Sequence, residues 1–95
     1  MSNGIQSDDR FTKADGLEVN EVPDGCVIYQ LKADRVHFLN PTAVIIFELC
    51  EGQLKVSEIE AFVVAAFELK ASPTEEIHNC FGSLVAEGLI VRCAL

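Results

Sequence analysis

Ninety-five residues with about half of them apolar suffice for one domain and one modest core. Fifteen acidic residues against seven basic ones, a net charge of -8, argue against nucleic acid and anionic membranes, whose partners present basic patches. No apolar run approaches the ~20 residues of a membrane-spanning helix, and the polar N-terminus lacks the apolar region of a secretory signal, so a cytoplasmic protein without membrane attachment is expected.

Residues 1–16 are rich in Ser, Asn, Asp and Gly without periodicity and read as a flexible tail ahead of a 17–95 domain. Leu17 to Val22 alternates as a weak first strand. Pro23-Asp24-Gly25 is a turn: Pro sets φ, Asp bonds its own backbone, and Gly takes positive φ. Cys26 to Leu31 is β-branched and aromatic, a second strand, and Lys32-Ala33-Asp34 makes the next turn. Arg35 to Leu39 is the third strand, with Arg35, His37 and Leu39 on one face and Val36 and Phe38 on the other. Both faces carry apolar side chains, whereas a strand with one wet face alternates cleanly. Either the chain covers the second face or a partner does.

Asn40-Pro41 switches the chain into a helix: Asn40 caps and Pro41 fits the first position, where no amide hydrogen is needed. That helix, to about Cys50 with Gly52 ending it, is apolar almost all round and therefore central. A second helix opens at Ser57 with Glu60 completing a capping box. Its stripe is Ile59, Phe62, Val63, Ala66 and Phe67. A third opens on Ser72-Pro73-Thr74-Glu75, a second box, and carries Ile77, Cys80, Phe81, Leu84 and Val85. This arc spans about 140°, wider than the ~100° of a core-facing helix, and Gly82 lies beside it. Gly88 suits a helix end in the left-handed conformation, with Leu89-Ile90-Val91 extended after it. The fold class is thus α+β, a three-stranded antiparallel sheet followed by three helices, winged-helix-like in order.

Catalytic constellations are missing from the pattern. The four cysteines, Cys26, Cys50, Cys80 and Cys93, form no CxxC or CxxH pair and read as reduced thiols packed as small apolar groups, Cys93 being the most open to oxidation. His37 and His78 stand in no metal-binding pattern. Ser57 and Ser72 are caps rather than nucleophiles. Neither a dinucleotide nor a nucleotide-phosphate loop is present, so neither enzyme activity nor a metal or cofactor is expected. The third helix of a winged-helix module reads DNA with basic residues; here Ser72 to Glu87 has Glu75, Glu76 and Glu87 and neither Lys nor Arg.

The segments DGCVIY, DRVHFLNPTA, ELCEG, VSEIEAF and EGLIV, in this order and spacing, resemble the PqqD-like proteins, the RiPP recognition elements of ribosomally made, modified peptides. The resemblance covers about Gly16 to Val91, with LNPTA and ELCEG its most specific parts. It implies a winged-helix-like fold in which the leader of a precursor peptide adds as a strand beside the third strand, against the third helix. It further implies delivery of that peptide to a separate enzyme, such as a radical S-adenosylmethionine enzyme. On this chain the implied peptide edge is Arg35, Val36, His37, Phe38 and Leu39. The implied groove wall is Ile77, Phe81, Leu84 and Val85. The acidic third helix departs from members that bind acidic leaders and points to a neutral or basic one; the tail and the four cysteines have no counterpart in the family. The alternative is a winged-helix-like scaffold or regulator with no leader ligand. An exposed strand edge also permits a strand-mediated homodimer in place of a monomer.

Overall fold

In the computed structural model, which describes residues 4–93, the hairpin segments form where their patterns place them. Strands β2 (Leu17–Val22), β3 (Gly25–Gln30) and β4 (Arg35–Leu39) make an antiparallel sheet in the order β2-β3-β4. Gly25 closes the first turn at φ +153, and a Cβ built on it would lie 1.9 Å from the Leu39 carbonyl oxygen, so only glycine fits. The second turn is held by the Tyr29 hydroxyl, which donates to the Asp34 carboxylate, while Asp34 takes a left-handed φ of 51.

Helix α1 (Pro41–Leu49) follows directly. The Asn40 side chain accepts from the Ala43 amide at 2.9 Å, and Pro41 stands in the first turn. Ala43, Ile46 and Phe47 are buried, and Val44, Ile45 and Leu49 pack half-buried against the same core. This is the central position that an apolar circumference requires.

A second sheet, in the order β5-β1-β6, was not legible in the pattern. It joins β1 (Arg10–Lys13), β5 (Glu51–Lys55) and β6 (Ile90–Arg92), all antiparallel. Helices α2 (Val56–Ala66) and α3 (Thr74–Ala86) lie between β5 and β6. The architecture is therefore α+β with two small antiparallel sheets and three helices, strands and helices interleaved. The expected order of one sheet followed by three helices is corrected to this extent.

The expected tail is corrected as well. Residues 10–13 form the central strand of the second sheet, and Ile5 and Phe11 are buried in the core. Arg92 donates to the Gly4 carbonyl at 2.9 Å and to the Asp9 carboxylate at 3.0 Å, tying the segment down. One large apolar residue flanked by polar ones has no period to read, and its partner strands lie some 40 and 80 residues downstream. Residues 1–3 of that tail, and residues 94 and 95 of the expected 17–95 domain, lie outside the described residues.

The helix starts shift for one physical reason. The first amides of a helix need acceptors, and the N-terminal segment supplies them: Val56 donates to the Asp9 carbonyl at 2.9 Å and Ser57 to the Ser7 carbonyl at 3.0 Å. So α2 begins at Val56 instead of Ser57, with the Glu58 carboxylate accepting from the Lys55 amide at 2.8 Å. Glu60 is thereby freed from the expected box. Its carboxylate accepts from Ser72 and, at 2.7 Å, from Thr74. Ser72 accordingly does not cap α3, which starts at Thr74 after Pro73. Gly52 does not end α1 either: Cys50 caps it, and Gly52 sits within β5 at φ +86. Gly88 follows α3 with a left-handed φ of 76, as its position implies.

Candidate functional site

Strand β4 has β3 on one side and no strand of this chain on the other, among the described residues. Its register is Arg35 to Gln30, Val36 to Tyr29, His37 to Ile28, Phe38 to Val27 and Leu39 to Cys26. The Leu31 amide donates to the Gly16 carbonyl at 3.1 Å, so the backbone at Leu31 faces the β2 side. Backbone direction alternates along a strand, and Gln30 therefore faces β4. It follows that Arg35, His37 and Leu39 exchange hydrogen bonds with β3. The N–H and C=O groups of Val36 and Phe38 point away, along the free edge.

Side chains alternate with the same period. Leu39 is buried and His37 half-buried on the inner face, as the alternation predicts. Val36 and Phe38, on the outer face, are 62% and 58% exposed, the highest values for large apolar side chains among the described residues. Half-buried Val27 and Tyr29 stand beside them as cross-strand partners. The edge that offers free donors and acceptors is thus bordered by an uncovered apolar strip. Arg35, exposed, opens β4 at the hairpin turn with its backbone toward β3.

The expected groove wall is corrected. Ile77, Phe81 and Leu84 are at most 1% exposed and belong to the core. Phe81 stacks on Phe11 with ring centroids 5.5 Å apart. Only Val85 of that set is exposed, at 40%. The spacing 77, 81, 84 is the core stripe itself, with Cys80 packed beside it; the arc looked too wide because it counted Val85, which is exposed. The stripe of α2 is narrower than expected too: Val56, Ile59 and Val63 are buried, while Phe62, Ala66 and Phe67 are exposed.

What connects β4 to α3 is polar and joins residues 50 apart in sequence. The His37 ring meets the Glu87 carboxylate through Nδ1 at 2.9 Å and the Gln30 side-chain oxygen through Nε2 at 2.9 Å. The Gln30 amide nitrogen donates to the Glu87 carbonyl at 2.9 Å, which fixes its oxygen toward the histidine. Neither Gln30 nor Glu87 carries a sequence signal for this arrangement.

Elsewhere, a cavity of about 510 Å³ opens among Thr42 on α1, Val63 and Phe67 at the end of α2, Leu69 beyond it, and Pro73 and Ile77 at the start of α3. Its lining is mostly apolar and offers Thr42 and Glu76 as polar groups. The Glu60, Ser72, Thr74 and His78 cluster places the His78 Nε2 3.9 Å from the Glu60 carboxylate, too far for a hydrogen bond. Ser72 donates to the Glu60 carboxylate and accepts from the Thr74 hydroxyl at 3.3 Å.

All four thiols are free. Burial pushes the Cys50 thiol up to about 12, against a smaller opposing pull from Lys13. It pushes Cys80 up to about 11, with Glu87 adding to it. Cys26 is raised as well, chiefly by burial. Such thiols stay protonated and unreactive at neutral pH. Among the described residues no group of three or more His, Cys, Asp or Glu is placed to hold a metal ion. Among the described residues no helix is long and apolar enough to cross a membrane. Compared with family models, curated proteins and solved structures, the chain matches none.

Proposed function

We propose that this chain is a non-catalytic peptide-binding module of winged-helix-like type. It takes an extended segment, the leader of a ribosomally made precursor, as a fourth strand on β4. It then presents that peptide to a separate modifying enzyme, in the manner of the PqqD-like recognition elements it resembles. The observation that carries the reading is the coincidence at Val36 and Phe38. Their backbone groups face the free edge, and their side chains are the most exposed large apolar ones among the described residues. Strand addition draws affinity from main-chain hydrogen bonds and specificity from alternate side chains. A free apolar edge also invites unwanted pairing, so a ligand for it is the economical explanation.

The test is hydrogen exchange on the chain titrated with the leader of a precursor encoded beside it. Saturable binding with slowed exchange of the Val36 and Phe38 amides is the expected result. Binding that leaves both amides unprotected removes β4 as the site. Slowed exchange that depends on protein concentration alone, with no peptide, identifies a strand-mediated homodimer instead. No binding to any such leader favours the scaffold reading.

A further inference from the structure

Resting on strand addition at β4, we propose that the added strand has a defined chemistry: an apolar residue, then Lys or Arg, then a second apolar residue. Its apolar positions lie opposite Val36 and Phe38, and its cation lies opposite His37.

The added strand runs antiparallel to β4; residues that exchange hydrogen bonds across an antiparallel pair stand opposite each other and project on a common face. The free amides and carbonyls belong to Val36 and Phe38, so the ligand residues that meet them are two apart and share the outer face. There they extend the strip of Val27, Tyr29, Val36 and Phe38, whose last two members stand mostly uncovered. β-Branched or aromatic side chains fit such a pleated apolar surface.

The residue between them projects onto the inner face beside His37, and the surroundings there are negative. The Glu87 carboxylate lies 2.9 Å from the His37 Nδ1, with its side chain 43% exposed. Glu87 also ends α3, whose last turn holds no basic residue, so the negative end of the helix dipole is uncompensated. Both ring nitrogens of His37 already face acceptors, Glu87 and Gln30. With both ring nitrogens so engaged, the group left to recognise a ligand is the partly exposed Glu87 carboxylate. Among the described residues Glu87 has no ion-pair partner besides His37. Arg35 shares the inner face but lies one further position along, at the hairpin turn. A ligand Lys or Arg complements this point, and a ligand carboxylate is repelled by it. The chain's net charge of -8 draws a basic peptide in from a distance.

A phage-displayed random peptide library, with inserts of roughly twelve residues so that β4 is spanned, is panned on the wild-type chain, on Glu87→Gln and on Val36→Pro. The wild-type chain should enrich the apolar–basic–apolar pattern. Glu87→Gln should keep the apolar alternation and lose the central cation. In a synthetic copy of an enriched peptide, Lys→Glu at the centre should cost at least about tenfold in affinity for the wild-type chain and under about threefold for Glu87→Gln. Alternation with no basic preference, or the same preference on Glu87→Gln, overturns this inference and leaves strand addition standing. Backbone N-methylation separates the two without altering the protein. Methylating the amides of the two apolar residues should abolish binding, and methylating the central one should spare it. Peptides indifferent to N-methylation, or a library that enriches nothing over Val36→Pro, would overturn strand addition and this inference with it.

Discussion

At Gly25 the backbone, not the side chain, decides the residue. A Cβ there would stand 1.9 Å from the Leu39 carbonyl oxygen at φ +153, whereas Gly16, at φ +74, has open space around it. Gly25→Ala should therefore cost about 2–5 kcal/mol, adding a clash to backbone strain, and Gly16→Ala about 1 kcal/mol from strain alone. Urea unfolding of the two variants, compared with the unaltered chain, measures the difference. Cys50 carries a second residue-scale consequence. Its thiol is pushed up to about 12 by burial, so the folded state favours the neutral form. The stability this reflects is whole below about pH 9 and is lost as pH rises toward 12. The slope approaches 1.4 kcal/mol per pH unit for one proton. Replacing Cys50 with Ala should flatten that alkaline fall in urea titrations run at pH 8 and pH 10. An unchanged slope would show that the thiol does not report burial.

At the scale of one strand, backbone alternation makes neighbouring residues of β4 unequal. The Val36 amide faces the free edge, so Val36→Pro removes no ladder bond and should leave a folded chain, as edge strands tolerate proline. The His37 amide faces β3. His37→Pro deletes that bond and orphans its acceptor, and should cost about 3 kcal/mol or more. His37→Ala separates the backbone effect from loss of the Glu87 and Gln30 contacts. Thermal melts of the three variants check the order. Equal losses for the two prolines would mean that the register assigns the free edge wrongly. The hairpin and its switch into α1 were legible because each signal is local: Pro23 to Gly25, Asn40 before Pro41, and alternation along Arg35 to Leu39. The helix starts were legible only approximately. Ser57 and Ser72 have the right chemistry for caps, yet the carbonyls of Asp9 and Ser7 reach the first amides of α2. Ser72 then turns to Glu60.

For the whole molecule, the N-terminal segment joins what the helices leave apart. Phe11 packs on Phe81 of α3, and β1 stands between β5 and β6. A chain beginning at Leu17 loses Ile5, Phe11 and the central strand, leaving β5 and β6 with no pairing partner. It should lack cooperative unfolding and bind a fluorescent probe of exposed apolar surface. A sharp melt near that of the full chain would show that the second sheet is dispensable. The same logic separates the two halves of the expected site. Arg35 to Leu39 could be read as a strand with two apolar faces, and β4 is indeed an edge. Ile77, Phe81 and Leu84 could be read only as one apolar stripe, because periodicity gives a face but not what covers it.

The sequence by itself determined the features written in neighbouring residues: three strands, three helices, their turns, an apolar first helix and an acidic balance. Each follows from propensity, capping and periods that act over a few residues. Tertiary structure alone decided which strand is central, that residues 10–13 belong to the fold, and that His37 meets Glu87 across 50 positions. Those outcomes depend on pairings between distant segments, and a polar Glu, a lone Phe or a short extended run has no local pattern that names its partner.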